Sequence, residues 1–469
     1  MTADARHGMR TAWGWGLAGL ALIAVQAAIL LLSPRFLYGT PILERPTVAM
    51  VGLMMTAGAV YCAAMIFLDR PVRPRPGWWL WVIAAGLVMR ALMMPSTPIL
   101  EDDYFRYLWD GAVVANGHNP YAHSPAGIQR RAAPEELISL AEDSGPVIER
   151  VNHPSLRTIY PVTAQAAFAL AHLVMPWRIE GLRLVWLVFD AATIMLLAAL
   201  LHAVGLPRSG AVVYWWNPLL VNEVYNSAHM EVLIFPFLLG ALLLCVNNRA
   251  GWGGGMLGLA TGAKVWPVIL LPALARVRGA SFRRHAVMLL GCVAVSAALA
   301  APLLFGGTGD DSGLGEYSRR WQMNDLIYML IHWTASQVSP DQAHFWSRGV
   351  VILLLGGWLL WLCRTPATTG RQVCERALWT IAALFMLSPT QFPWYALWFL
   401  PLLAVRPSPG LLILTAMLPM YYLRFPMREL GTQAWFDYGL IWIQFGPTLA
   451  LLAWEGLKAR KSDMKAPAP

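Results

Sequence analysis

The sequence predicts an all-α, polytopic integral membrane protein of about 12–14 transmembrane helices. Of its 469 residues 57% are hydrophobic and only 13% charged, about half the charged share of a soluble domain. The apolar residues are gathered into long runs, among them 11–32, 186–201 and 286–304. At about 1.5 Å per residue, such helices cross most of a hydrocarbon core about 30 Å thick. No alternation of period two with polar partners runs along the chain, which disfavours a transmembrane β-barrel with its apolar outer and polar inner faces.

From the N-terminus, the run 11–32 follows a basic start but is long and lacks a small-x-small cleavage site, so it is expected to remain as the first helix. The net charge of +9 sits in short loops between apolar runs rather than in one patch, which speaks against a nucleic-acid partner and for topology signals. Arg6 and Arg10 place the N-terminus in the cytoplasm. The clusters Arg70, Arg73 and Arg75, then Arg178 and Arg183, then Arg276, Arg278, Arg283 and Arg284 fall on the same side by the count of spans, as do Arg364, Arg371, Arg376, Arg406 and the tail with Lys458, Arg460, Lys461 and Lys465. Both termini are therefore expected inside the cell, in a chain read as a single membrane domain over 1–469: three spans over 1–94, an extracytoplasmic loop over 95–157, the remaining spans over 158–455 with outer loops 306–325 and 388–394, and a cytoplasmic tail over 456–469. The element 211–221 is short for a crossing and reads equally as re-entrant. Five cysteines, with Cys245, Cys292 and Cys363 in or at the ends of spans, show neither paired nor metal-ligand spacing.

Loop 95–157 carries the unusual residues. Glu101-Asp102-Asp103-Tyr104-Phe105-Arg106-Tyr107-Leu108-Trp109-Asp110-Gly111 follows the third span directly. Asp102 or Asp103 is suited to cap the next helix, whose apolar stripe Tyr104, Phe105, Leu108 and Trp109 predicts a helix lying along the membrane surface. A capped surface helix without chemistry competes evenly with a catalytic reading. His118, His123 and His153 are irregularly spaced and imply no metal site. Further on, Asn217-Pro218, Glu223, His229, Glu231 and Lys264 interrupt apolar sequence. Such groups cost about 2.5–3.5 kcal/mol each near a bilayer centre and mark function by default, although an ion pair between Lys264 and Glu223 or Glu231 accounts for them equally well. In Ser388-Pro389-Thr390-Gln391-Phe392-Pro393-Trp394-Tyr395, the aromatic pair fits an interfacial belt or a platform for a sugar.

Taken in order, the acidic segment, Asn119-Pro120-Tyr121, Asn152-His153-Pro154 with Tyr160-Pro161, Asn217-Pro218 with His229, Lys264 with Pro267, and Pro393-Trp394-Tyr395 resemble the GT-C superfamily of membrane glycosyltransferases, in its bacterial multispanning mannosyltransferase-like branch. The resemblance runs from about residue 95 to 395. It implies an inverting hexosyltransferase, with mannose favoured, that takes its sugar from a polyprenyl phosphate and passes it to an acceptor hydroxyl on the extracytoplasmic face of the cell membrane. Lipid or glycan acceptors and membrane lipids are the implied partners. The Asp-x-x-Arg-Tyr arrangement maps onto Asp103, Arg106 and Tyr107, making Asp103 the general base and Asp102 its orienter or substitute. Arg106, Tyr107, His153, Tyr160, His229, Lys264, Trp394 and Tyr395 are the implied substrate contacts. Arg106, Lys264 and Arg319 or Arg320 are the cations for the phosphate, with Arg106 favoured.

A phosphate leaving group needs little protonation, so one base and cations suffice. Glu101, Asp102 and Asp103 also offer oxygens suited to a divalent cation; no other cofactor is implied. Two spans precede the third here, whereas the acidic loop follows the first span in many GT-C members. A flippase or transporter of a lipid-linked saccharide is the alternative function.

Overall fold

The computed structural model describes residues 3–71, 73–305 and 321–465. These are helical apart from loops and two isolated bridges, with no β-strand among the described residues. The chain is a polytopic membrane protein. Eight helices are long and apolar enough to cross a membrane, and a ninth crossing is available if the pair Pro218–Asn226 and Met230–Val246, bent by 103°, counts as one. Several runs that the sequence reading counts as crossings fold as shorter pieces, such as Val162–Val174 and Trp266–Ala275.

The first three helices, α1 (Ala3–Leu32), α2 (Thr47–Phe67) and α3 (Pro76–Met93), lead to the acidic segment. Helix α4 (Asp103–Ala115) begins where expected, but residues 105–113 are all buried. It is therefore enclosed by protein rather than lying half exposed along an interface. Helices α5 (Val162–Val174) and α6 (Ile179–Ala203) cover it. The approach to α5 is close: a Cβ on Gly111 would lie 2.4 Å from the carbonyl oxygen of Phe168.

Helix α5 also corrects the charge count. Its 13 residues extend about 20 Å, too short for a crossing. Arg183, assigned above to the cytoplasmic side, is buried in α6 and donates to the carbonyls of Met94, Ser96 and Asn226. It thus lies at the same end of the bundle as the acidic segment. Asn226 completes this latch, accepting from the Ile99 N–H and donating to Ser96 Oγ and Thr97 O.

The other basic clusters gather at the opposite end. Ser209 Oγ donates to Pro71 O, Arg376 to Arg276 O, and Arg406 lies 3.8 Å from Glu375.

A buried ion pair holds the broken segment in place. Arg90 Nε donates to Asp190 Oδ2 at 2.6 Å, Tyr214 and Tyr225 donate to the same carboxylate at 2.7 and 2.6 Å, and the Arg90 guanidinium lies 3.5 Å over the Trp215 ring. Buried charges persist only when paired and hydrogen-bonded, and this network ties α3 and α6 to residues 214–225. The break follows from local chemistry. Asn217 Oδ1 accepts from the Leu220 N–H to start a short helix at Pro218, residues 222–226 widen into a π-turn, and Ala228 adopts φ +58°. A left-handed residue ends a helix, so Glu223, His229 and Glu231 project from a bend.

Candidate active site

The described parts of the loops that the sequence assigns to one face meet around one cavity of about 580 Å³. Residues 101–161 form one wall. Met323 pairs with the 388–391 loop through Met323 N to Pro389 O and Gln391 N to Met323 O, and Trp321 meets His153 edge-on at 4.7 Å.

Helix α4 supplies the acidic corner. Asp102 occupies the cap position, yet its side chain makes no cap bond. Instead Asn152 Nδ2 donates to Asp102 Oδ1 at 3.1 Å and to Asp103 Oδ1 at 2.6 Å. The capping interpretation of the acidic segment is thereby removed; one amide gathers both carboxylates at the cavity wall. Burial, and then the neighbouring Asp103 charge, push the Asp102 carboxyl up to about 6. Burial also raises Asp103, opposed in order by the Asn152 hydrogen bond and the charges of Lys264, His153 and Arg106. Glu101 is held well above the usual carboxylate range by burial and by both aspartates.

Arg106 lines the cavity, and its Nη2 donates to the carbonyls of Asn152 and His153, both at 3.0 Å. It thus positions the loop that carries the carboxylate clamp. His153, at φ +46°, sits beside it; burial lowers its pKa, against the pull of Asp103. Tyr107 stacks on Phe168 at 4.6 Å and meets Tyr160 edge-on at 5.0 Å, and both tyrosines reach the cavity.

On the facing wall, Lys264 leaves its helix in an extended conformation and forms a short ion pair with the fully buried Glu231. Its ammonium lies 4.1 Å over the Tyr395 ring. The structural ion pair foreseen for Lys264 is thus formed with Glu231, while Lys264 still reaches the cavity. Trp394 and Tyr395 are buried against Phe392, Trp398 and Tyr421 and form an aromatic wall rather than a lipid-facing belt.

Of the residues singled out from sequence, Asp102, Asp103, Arg106, Tyr107, His153, Tyr160, Lys264, Trp394 and Tyr395 all line this cavity. His229 does not: it is fully buried behind Trp394, with ring centroids 3.8 Å apart, and supports the wall instead of touching its contents. Arg319 and Arg320 lie outside the described residues. Sequence reasoning left Asn152, Arg157, Trp321, Tyr421 and Arg428 out of the site, although they line it. Only Asn152 carried a signal, its place in Asn-His-Pro. Among the described residues, no group of three or more His, Cys, Asp or Glu side chains is placed to hold a metal ion.

Residues 13–280, which span α1 to the Lys264 side of the cavity, match the family described as alpha-(1->6)-mannopyranosyltransferase, N-terminal domain. The chain belongs to that family. It is a membrane mannosyltransferase, in agreement with the GT-C resemblance. Alpha-(1->6)-mannopyranosyltransferase A of Mycobacterium tuberculosis is 23% identical over 389 residues, covering 76% of this chain and 70% of the relative. No solved structure matches. The acidic corner, the Asn152 loop and Lys264 of the mannosyltransferase cavity fall within the matched residues, whereas the aromatic wall at 392–398 and Arg428 lie beyond them.

Proposed function

We propose that this mannosyltransferase moves a mannosyl residue from a polyprenyl phosphate to an acceptor hydroxyl, in one inverting displacement at the extracytoplasmic face. The observation that carries the reading is the opposition of a clamped carboxylate pair to a lysine across one aromatic-walled cavity. Asp103 accepts the proton of the attacking hydroxyl as its oxygen bonds to the anomeric carbon, and the carbon–oxygen bond to the phosphate breaks. The raised pKa strengthens Asp103 as a base relative to a free carboxylate. Asp102 orients it through the shared Asn152 amide. The phosphate departs as an anion toward Lys264, where a fixed cation stabilises charge that develops in the transition state. Trp394, Tyr395 and Trp321 present ring faces and edges to the sugar and the first prenyl units.

Charge supports this choice of side: Arg70, Arg276 and Arg376 stand in loops that do not line the cavity, and loops rich in Lys and Arg favour the cytoplasm.

The test is release of polyprenyl phosphate from polyprenyl-phosphate mannose by purified protein with membrane-lipid acceptors, comparing wild type with Asp103→Asn. Turnover that falls by at least a thousandfold in a folded variant is expected. Donor translocation without turnover would replace this reading with a transporter.

A further inference from the structure

Behind Asp103 lie three groups that the transfer step does not use. His229 Nδ1 is 4.0 Å from Asp103 Oδ2, and Nε2 is 3.5 Å from Glu223 Oε2. The Tyr422 hydroxyl approaches both Glu223 oxygens, at 2.9 and 3.0 Å. His229 and Glu223 have no exposed surface, and neither imidazole nitrogen has a hydrogen-bond partner. Trp394 lies nearly parallel to the imidazole, at 16°, and fixes the plane in which its two nitrogens point. The other charged or titratable groups facing this row are Lys264, its partner Glu231, Glu101 and Tyr421, with Asp102, Arg106 and His153 beside Asp103. Four elements, α4, the π-turn, the bend at 228–229 and the turn Leu418–Leu423, thus set Asp103, His229, Glu223 and Tyr422 in a row running from the cavity into the protein.

Leaving a buried polar nitrogen unsatisfied costs about 1–3 kcal/mol, and both nitrogens of His229 are aimed at carboxyl groups. A neutral imidazole has one donor and one acceptor. With both carboxyl groups ionised, the Nε2–H donates to Glu223 and Nδ1 has no donor. One added proton completes the set: Nδ1–H donates to Asp103, and protonated Glu223 donates to Nε2. While Glu223 is ionised the row is therefore one proton short of satisfaction, and Asp103 is a carboxylate both before and after that proton is stored on Glu223.

We propose, on the transferase reading above, that His229 and Glu223 form a proton relay that empties Asp103 during the reaction. The acceptor hydroxyl proton passes to the Asp103 carboxylate as the new glycosidic bond forms and the electron pair of the broken bond leaves on the phosphate. Asp103 hands that proton to Nδ1 while the Nε2 proton moves to Glu223, whose carboxyl group keeps it until the products leave. Asp103 is ionised again without water entering the cavity. Tyr422 anchors Glu223 toward the imidazole. His229 and Glu223 are positioning residues that act through Asp103, since neither lines the cavity.

Two measurements test the relay. The first is the pH dependence of polyprenyl phosphate release by wild type, Glu223→Gln and His229→Gln in detergent. Loss of the proton sink is expected to lower kcat at least tenfold at unchanged donor KM, with the largest loss at the alkaline end of the profile, where Glu223 is ionised and free to take the proton, and convergence with wild type at the acidic end, where Glu223 is already protonated. A uniform loss at every pH, or no loss in folded Glu223→Gln, overturns the proposal. The isosteric Glu223 variant carries this arm if His229→Gln does not fold.

The second is nitrogen-15 spectroscopy of histidine-labelled protein in lipid nanodiscs, which needs no turnover. Glu223→Gln, whose amide donates to Nε2, is expected to move the His229 proton to Nδ1, and Asp103→Asn, whose amide donates to Nδ1, to shift the Nδ1 signal without changing the tautomer. A signal identical to wild type in both variants overturns the relay. Absence of turnover by wild type with every donor overturns the transferase reading instead, and the spectra still decide whether the three groups are coupled.

Discussion

Asn152→Leu isolates the clamp on the two aspartates. The amide donates to Asp102 at 3.1 Å and to Asp103 at 2.6 Å, while Arg106 grips the backbone carbonyl of residue 152 rather than its side chain. The loop therefore stays in place and only the clamp is lost. A hydrogen bond to a charged group is worth about 1.5–3 kcal/mol, and about 1.4 kcal/mol is a factor of ten in the ionised fraction.

The sign follows from the direction of the shifts. Burial already raises both carboxyls, Asp102 to about 6, and Asn152 opposes that rise. In wild type, activity should fall on the acidic side as Asp103, raised by burial, and Asp102, pushed up to about 6, take up protons, the pair titrating with two apparent values of its own. In Asn152→Leu, each anion loses stabilisation and the acidic loss extends to higher pH. The assay is kcat/KM for polyprenyl phosphate release from pH 5 to 10, buffers permitting. A drop of about tenfold to a hundredfold on the acidic limb, recovering toward alkaline pH, is expected. An equal drop at all pH values in a protein with wild-type thermal stability would refute the clamp and leave Asn152 as a packing residue.

Two further outcomes bear on the facing wall and the frame. Lys264→Met strands the fully buried Glu231 carboxylate, so thermal stability should fall by about 3–5 kcal/mol equivalent. The double variant Lys264→Met/Glu231→Gln should regain most of that stability but remain impaired in donor KM and kcat; recovery of activity would remove Lys264 from the phosphate site. Gly111→Ala puts a Cβ 2.4 Å from the Phe168 carbonyl oxygen, which separates α4 from α5 at a cost of about 1–3 kcal/mol. A lower melting temperature in detergent is expected, together with loss of activity as Asp103 moves, and an unchanged melting temperature would contradict the close contact.

What the sequence determined by itself was decided by composition and local spacing. Apolar runs long enough for a bilayer fixed the helical membrane class, because a lipid core admits no unpaired backbone. The acidic segment, Asn-His-Pro, Lys264 and Pro-Trp-Tyr could be singled out because charged residues in such a chain are costly and therefore few, and because these polar or aromatic groups stand beside prolines that interrupt apolar runs. Their order carried the family resemblance. The tertiary structure alone decided what those residues touch. Asp102 looks in sequence like a helix cap, but its carboxylate turns to Asn152, fifty residues away. Arg183 counts as a cytoplasmic charge by the positive-inside rule and proves to be a buried latch, because α5 is too short to cross. His229 reads as a substrate contact yet stands behind Trp394, in line with Asp103 and Glu223. Hydrogen bonds and ring stacking depend on positions that chain spacing does not encode across 50–200 residues, so which carboxylate acts, which cation opposes it and which imidazole lies between two acids emerge only once the helices pack.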